Sequence, residues 1–340
     1  MSPVFLPEVL MSLHRFASSQ ATLRATLALL GVFLVATTRA EDVEAPAPDS
    51  NVATLDERVN ALLQPLGDGL AVGVWVGPAQ GSPWFAMEPD AARPSASAIK
   101  TAYLVALFMR FAEDLDATPP GLDEIFRDDH PAMAPYSADQ RTEIRASLQR
   151  ASVRTLGGVM MGAIDAPNHV YNAAASAATA LLGGPEALTA AIHAIDPAFA
   201  GIVSRRYMLA PRDVTGDNEA SAASLAAVLG RLASGTLPGV DAALLAAIRE
   251  AIVTRESAFG LQGRHVLKGG SLNSDPITRV KSGWWEAPGL GPVVYVVMLA
   301  QPAPDPGARA EAAERLESAA SSLSALLLQA MQADTNQARP

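Results

Sequence analysis

Ser97 and Lys100 stand three residues apart at the start of an apolar helical run that continues through Thr101, Ala102, Tyr103 and Leu104. Three residues is close to one helical turn, so both side chains leave the same face. A serine hydroxyl becomes a nucleophile when a neighbouring base takes its proton, and an amine one turn away can do that. Backbone N–H groups at a helix start favour negative charge and would help a developing alkoxide. Alone, the pair also reads as a serine at a helix start beside a solvated lysine.

Lysine usage gives the pair company. Of 25 lysines and arginines only three are lysines, namely Lys100, Lys268 and Lys281. A chain that writes its surface cations as arginine has a reason for each lysine. Lys281 lies in Arg279-Val280-Lys281-Ser282-Gly283-Trp284, which by itself also reads as a strand end with a turn glycine. The five histidines are scattered with no His-x-x-x-His pair, and no metal-ligand spacing occurs, so neither a metal nor a cofactor is expected.

The elements that must hold these residues follow from periodicity. Thr54 or Asp56 caps a helix carrying Leu55, Val59, Leu62 and Leu63. The run 70–76 is a buried strand, and 83–87 is its hairpin partner. The Ser97 helix extends to about Phe111. Helical spacing then recurs over 137–149, 153–163, 169–182, 185–195, 221–233 and 241–256, with a loop at 198–218 that contains Arg205, Arg206 and Tyr207. Strands return at 277–283 and 292–299, and an amphipathic helix closes the chain at 308–333. This order predicts an α+β fold, with terminal helices on one face of an antiparallel sheet and a helical insert as a second lobe. The expected boundaries are 54–96 with 248–335 for the α/β lobe, and 97–247 for the helical lobe.

The 340 residues are 49% hydrophobic and 18% charged with a formal net charge of −10, enough for a sizeable core. The acidic balance argues against nucleic acid and anionic membrane surfaces as partners. With no cysteine, thiol chemistry and disulfides are excluded. Residues 1–40 read as an export signal, with Arg15 and Arg24 ahead of the apolar run 27–36 and Ala40 before Glu41; a single membrane anchor is the alternative. Residues 41–53 read as a flexible linker. A periplasmic or secreted monomer, with no stable membrane insertion after cleavage, is expected.

A Ser-x-x-Lys after a hairpin, a helical insert, and a Lys-Ser-Gly on a later strand resemble the superfamily of class A β-lactamases and penicillin-binding proteins. The resemblance covers 55–333 and implies a β-lactamase/transpeptidase-like fold. It makes Ser97 the acylated nucleophile and Lys100 its proton acceptor. It also implies that Lys281 and Ser282 receive a substrate carboxylate next to Gly283, and that the N–H groups of Ser97 and Trp284 form an oxyanion hole.

Two departures from the family pattern stand out. At the middle motif, normally Ser-Asp-Asn, the register gives Val170-Tyr171-Asn172 with Asn172 as the site asparagine, and the rival is Ala166-Pro167-Asn168. The serine that passes a proton to the leaving nitrogen is thus replaced, and Tyr171 or Lys281 could substitute. In the omega loop, Met208 falls where the family carries the Glu that activates water. Asp213, Asp217 and Glu219 lie nearby without fitting its place, and Asn218 or Ser221 is expected to cap the next helix. The reading is a serine hydrolase acting on a β-lactam or related amide. A slow-deacylating D,D-peptidase-like protein and a non-catalytic binder of cell-wall fragments are its alternatives.

Overall fold

The structure is a computed structural model that describes residues 53–337, so the expected export signal and all but Ala53 of the expected linker lie outside the described residues. In chain order the elements are α1 (Leu55–Leu63), β1 (Ala71–Pro78), β2 (Phe85–Met87), β3 (Arg93–Pro94), α2 (Lys100–Arg110), α3 (Leu122–Ile125) and α4 (Ala138–Leu148). These are followed by α5 (Val153–Met161), α6 (Asn168–Leu181), α7 (Pro185–Ile195), α8 (Arg212–Thr215), β4 (Glu219–Ala220), α9 (Ala222–Ser234) and α10 (Ala242–Glu250). The chain ends with β5 (Thr254–Ala258), β6 (Leu261–Leu267), β7 (Gly270–Leu272), β8 (Ile277–Ala287), β9 (Gly291–Gln301) and α11 (Arg309–Gln337). Among the described residues no helix is long and apolar enough to cross a membrane.

The sheet runs β2-β1-β9-β8-β6-β5, antiparallel throughout, and β7 also pairs with β8. Strand β9 reads as a continuous apolar run, and β8 is buried along most of its length despite its polar residues, because both faces of this sheet are covered. Val293, Tyr295, Val297 and Leu299 of β9 join Val59 of α1 and Leu316, Leu323 and Leu327 of α11 in one core. Val294, Val296 and Met298 alternate onto the other face and join the core of the helical insert. The terminal helices therefore share one face, and α9 lies on the other.

The stretch 241–256 is not one helix. Helix α10 stops at Glu250, and 254–267 form the β5–β6 hairpin, which turns at Phe259 and Gly260, both at positive φ. This hairpin carries Thr254, Arg255, Glu256 and Ser257 on an exposed sheet edge, so it lacks the apolar alternation that marks a half-buried strand.

Candidate active site

Ser97 sits in a single 3₁₀ turn, Ala96–Ile99, that leads directly into α2. Ala96 before it has φ of +48°, a left-handed conformation that costs a non-glycine residue energy and that strained functional turns often hold. Buried hydrogen bonds fix the turn from behind, since Ser95 donates both its N–H (3.0 Å) and its hydroxyl (2.9 Å) to the Asn218 carbonyl. Ser97 itself is half-buried and lines a cleft of about 850 Å³.

Lys100, one turn on, is completely buried. Its Nζ donates to Asn172 Oδ1 at 2.9 Å and stands 3.2 Å from the centroid of the Tyr171 ring. Burial, and after it the charge of Lys268, hold the Lys100 amine well below its ordinary pKa. The shift moves this lysine toward its neutral amine, the form that can accept a proton. Once protonated, it faces an aromatic ring that favours a cation.

Helix α6 presents the partners. Asn172 is buried and its Nδ2 donates to the carbonyl (2.9 Å) and the Oδ1 (3.1 Å) of Asn168. The structure thus distinguishes the two candidate asparagines: Asn172 touches Lys100, and exposed Asn168 at the helix start orients Asn172. Val170 points into the core. Tyr171, between them, is not a ring packed passively on the helix surface. Its hydroxyl accepts a hydrogen bond from Lys268 Nζ, while its face lies against Lys100.

The second lysine of the site is therefore Lys268, which the sequence reading left without a role. Strands β6 and β7 are two halves of one line along β8, broken at Lys268 and Gly269. Gly270 runs so close to the Ser97 turn that a Cβ on it would stand 2.5 Å from Ser97 N. Lys268 donates its N–H to the Ser282 carbonyl, so by ladder alternation the Ser271 N–H turns away from β8 to the side of Ser97.

The assignment of Lys281, Ser282, Gly283 and Trp284 to the substrate side needs correction, because their strand, β8, lies one strand further from Ser97. Lys281 reaches the cleft wall, but its ammonium is bonded to Glu317 of α11. The buried Ser282 hydroxyl donates to the Lys268 carbonyl. Gly283 packs on Val266, where a Cβ would stand 2.1 Å from the carbonyl oxygen. Trp284 is buried in mid-sheet between β6 and β9, so its N–H is not available to an oxyanion beside Ser97.

The loop 206–217 closes the cleft from the other side. Arg206 and Arg212 both bind the Asp217 carboxylate, at 2.6 and 2.8 Å, and tie the neck of the loop. Asn218 is not a helix cap, since its Oδ1 accepts the N–H groups of Arg205 and Arg206 at 2.8 and 3.0 Å; Ser221 caps α9. Met208 lines the cleft, with its N–H donated to Ser176 Oγ at 3.1 Å. Two carboxylates line the cleft, and both are already paired: Asp217 as described, and Glu317 with Lys281 and Arg279. Asp213 is exposed outside the cleft lining, and Glu219 pairs with Arg205.

Comparison with solved structures places this architecture. A variant of the last common ancestor of Gram-negative bacteria β-lactamase class A superposes with a TM-score of 0.60 at 19% identity, over 82% of this chain and 98% of that one. The last common ancestor itself gives 0.58 at 21% identity, over 82% and 100%. The fold is that of the class A β-lactamases. A β-lactamase from Xanthomonas campestris pv. campestris also matches, with a TM-score of 0.55 at 20% identity over 80% of this chain and 100% of its own. No family model matches the chain, and no curated protein matches it in sequence. The likeness thus lies in the β-lactamase/transpeptidase-like fold, at sequence identities where side-chain roles must be argued from this chain's own geometry.

Proposed function

We infer that the protein is an exported, monomeric serine hydrolase that forms an acyl-enzyme on Ser97 with a β-lactam or a related amide. The observation that carries this reading is the buried Lys100, held toward its neutral form next to Ser97 and contacted by Asn172 and Tyr171. In the first step Lys100 takes the Ser97 proton and Oγ bonds to the carbonyl carbon. The N–H groups of Ser97 and Ser271 receive the oxyanion, a contribution that is often the largest electrostatic one in acyl transfer. As the C–N bond breaks, the Tyr171 hydroxyl protonates the leaving nitrogen. The Lys268 ammonium, already bonded to that oxygen, stabilises the phenolate left behind. Lys268 reaches the site only through that oxygen, since it does not line the cleft, and the cations that do line it are Arg206 and Lys281, both paired with carboxylates.

Release of the acyl group is less well provided for. Met208 lies on the loop that would carry a water-activating carboxylate, and both carboxylates lining the cleft are consumed in ion pairs. This favours a second reading, in which the acyl-Ser97 adduct is long-lived and the protein acts as a slow penicillin-binding enzyme. Intact-mass analysis after incubation with benzylpenicillin tests both. A covalent adduct lost in Ser97→Ala supports acylation, and its lifetime separates hydrolase from slow acyl-enzyme. Absence of both adduct and turnover overturns the enzyme reading and leaves a non-catalytic binder.

A further inference from the structure

Lys281 and Ser282, singled out in the sequence, line a second cavity. It measures about 410 Å³ and lies behind the Lys268–Gly269 break, between the β5–β6 hairpin, β8, β9 and α11. Three cations line it, Arg255, Lys268 and Lys281, and no carboxylate does. Glu317 does bind Lys281, but it also binds Arg279 at 3.3 Å, so two cations share one negative charge and the excess stays positive. Phe259 supplies an apolar wall, 5.5 Å edge-to-face from Tyr295.

The decisive group is Tyr295. It is completely buried, it lines this cavity, and its hydroxyl has no hydrogen-bond partner. Room for that hydroxyl comes from Gly283, where a Cβ would stand 2.9 Å from Tyr295 Oη. A buried hydroxyl left unpaired carries a desolvation cost, and native proteins seldom keep one without a partner or a use. Burial also keeps this phenol protonated, as a donor.

We propose that this cavity is a second ligand site, for a small carboxylate with an apolar body, bound by the Tyr295 hydroxyl and the Arg255 and Lys281 cations. The carboxylate oxygen completes the Tyr295 hydrogen bond, the cations supply charge-assisted contacts, and the apolar body rests on Phe259. Arg255 and Tyr295 line this cavity and not the first cleft, whereas Lys281 stands in the wall between the two, so the test rests on Arg255 and Tyr295.

Ligand-observed NMR and calorimetry on the full chain test the proposal, with benzoate as probe and benzyl alcohol as its neutral counterpart. Benzoate is expected to bind saturably and at least about tenfold more tightly than benzyl alcohol, because a charge-assisted hydrogen bond is lost with the alcohol. Tyr295→Phe, which removes one oxygen and keeps the ring, and Arg255→Gln are each expected to weaken benzoate about three- to tenfold. Ser97→Ala is expected to leave benzoate affinity unchanged. Failure of benzoate to saturate, equal affinity for the alcohol, or unaltered affinity in either the Tyr295 or the Arg255 variant overturns it.

Discussion

Burial strips Lys100 of solvation and lowers its proton affinity, and that trade has a measurable sign. Its folded-state pKa is depressed below the ordinary 10.5, so between the two values the unfolded chain binds a proton that the native state does not. Stability is therefore expected to rise with pH across that window and to decrease as pH falls through it. Denaturant unfolding at pH 7 and pH 9 checks this, and the gain attributable to this residue should vanish in Lys100→Met. Acylation should climb as pH rises through the same lowered pKa, because only the free amine can take the Ser97 proton. Lys100→Met should cost about 10²- to 10⁴-fold in adduct formation, the usual range for a lost proton acceptor. A labelling rate that declines with rising pH would exclude Lys100 as the base. Tyr171→Phe isolates the other half of the relay. It keeps the ring against Lys100 and deletes the oxygen that Lys268 donates to, so adduct formation should slow about 10²-fold with the fold intact. A rate unchanged in Tyr171→Phe would return that tyrosine to a packing role.

At the level of elements, β7 is what brings Ser271 to the Ser97 turn, with Lys268 in the break just before it, and Gly270 sets the distance. A Cβ there would meet Ser97 N at 2.5 Å and Ala96 Cβ at 2.8 Å. Gly270→Ala is thus expected to push β7 and the Ser97 turn apart and to slow penicillin labelling by at least about tenfold, as ångström-scale misplacement of reacting groups does. Circular dichroism should change little, because β7 is a three-residue edge segment. Full labelling speed in Gly270→Ala would show that β7 does not position the site. The contrast between Ser97–Lys100 and Lys268 also explains what the sequence could reveal. The first pair is local, one turn apart on one helix, and needs no knowledge of topology. Asn172 was legible because the continuous helix after it fixes its register. Lys268 depends on which strand lies beside Ser97, a non-local fact, and its own strand is broken and flanked by an exposed polar hairpin. The β-branched residues Ile277, Thr278 and Val280 ahead of Lys281-Ser282-Gly283 gave that stretch the stronger strand signal, one strand too far along the sheet. Tyr171 was visible as a residue, but its contact with two lysines exists only once α2, α6 and β7 converge.

Across the whole molecule, the helical insert and the sheet share a core. Leu104, Phe108, Met160 and Leu229 from the helices pack in one cluster with Val280, Trp284, Val294 and Met298 from the sheet. The opposite face is closed by α1 and α11 through a second cluster that contains Leu316, Leu323 and Leu327. Since β8 and β9 contribute to both clusters, losing either one exposes the strands that support the other. The candidate site draws Ser97, Lys100 and Asn172 from one side of this arrangement and Lys268 from the sheet, so it cannot outlast either. Leu323→Ala, fully buried on α11 and remote from the cleft, tests the coupling. It should cost about 2–5 kcal/mol of stability, the range for truncating a buried leucine. Penicillin labelling and helical circular dichroism should then be lost together in one transition, displaced to lower denaturant by the same amount. Separate midpoints for the two signals would instead show that the insert survives without the α11 face and that the two cores unfold as independent units.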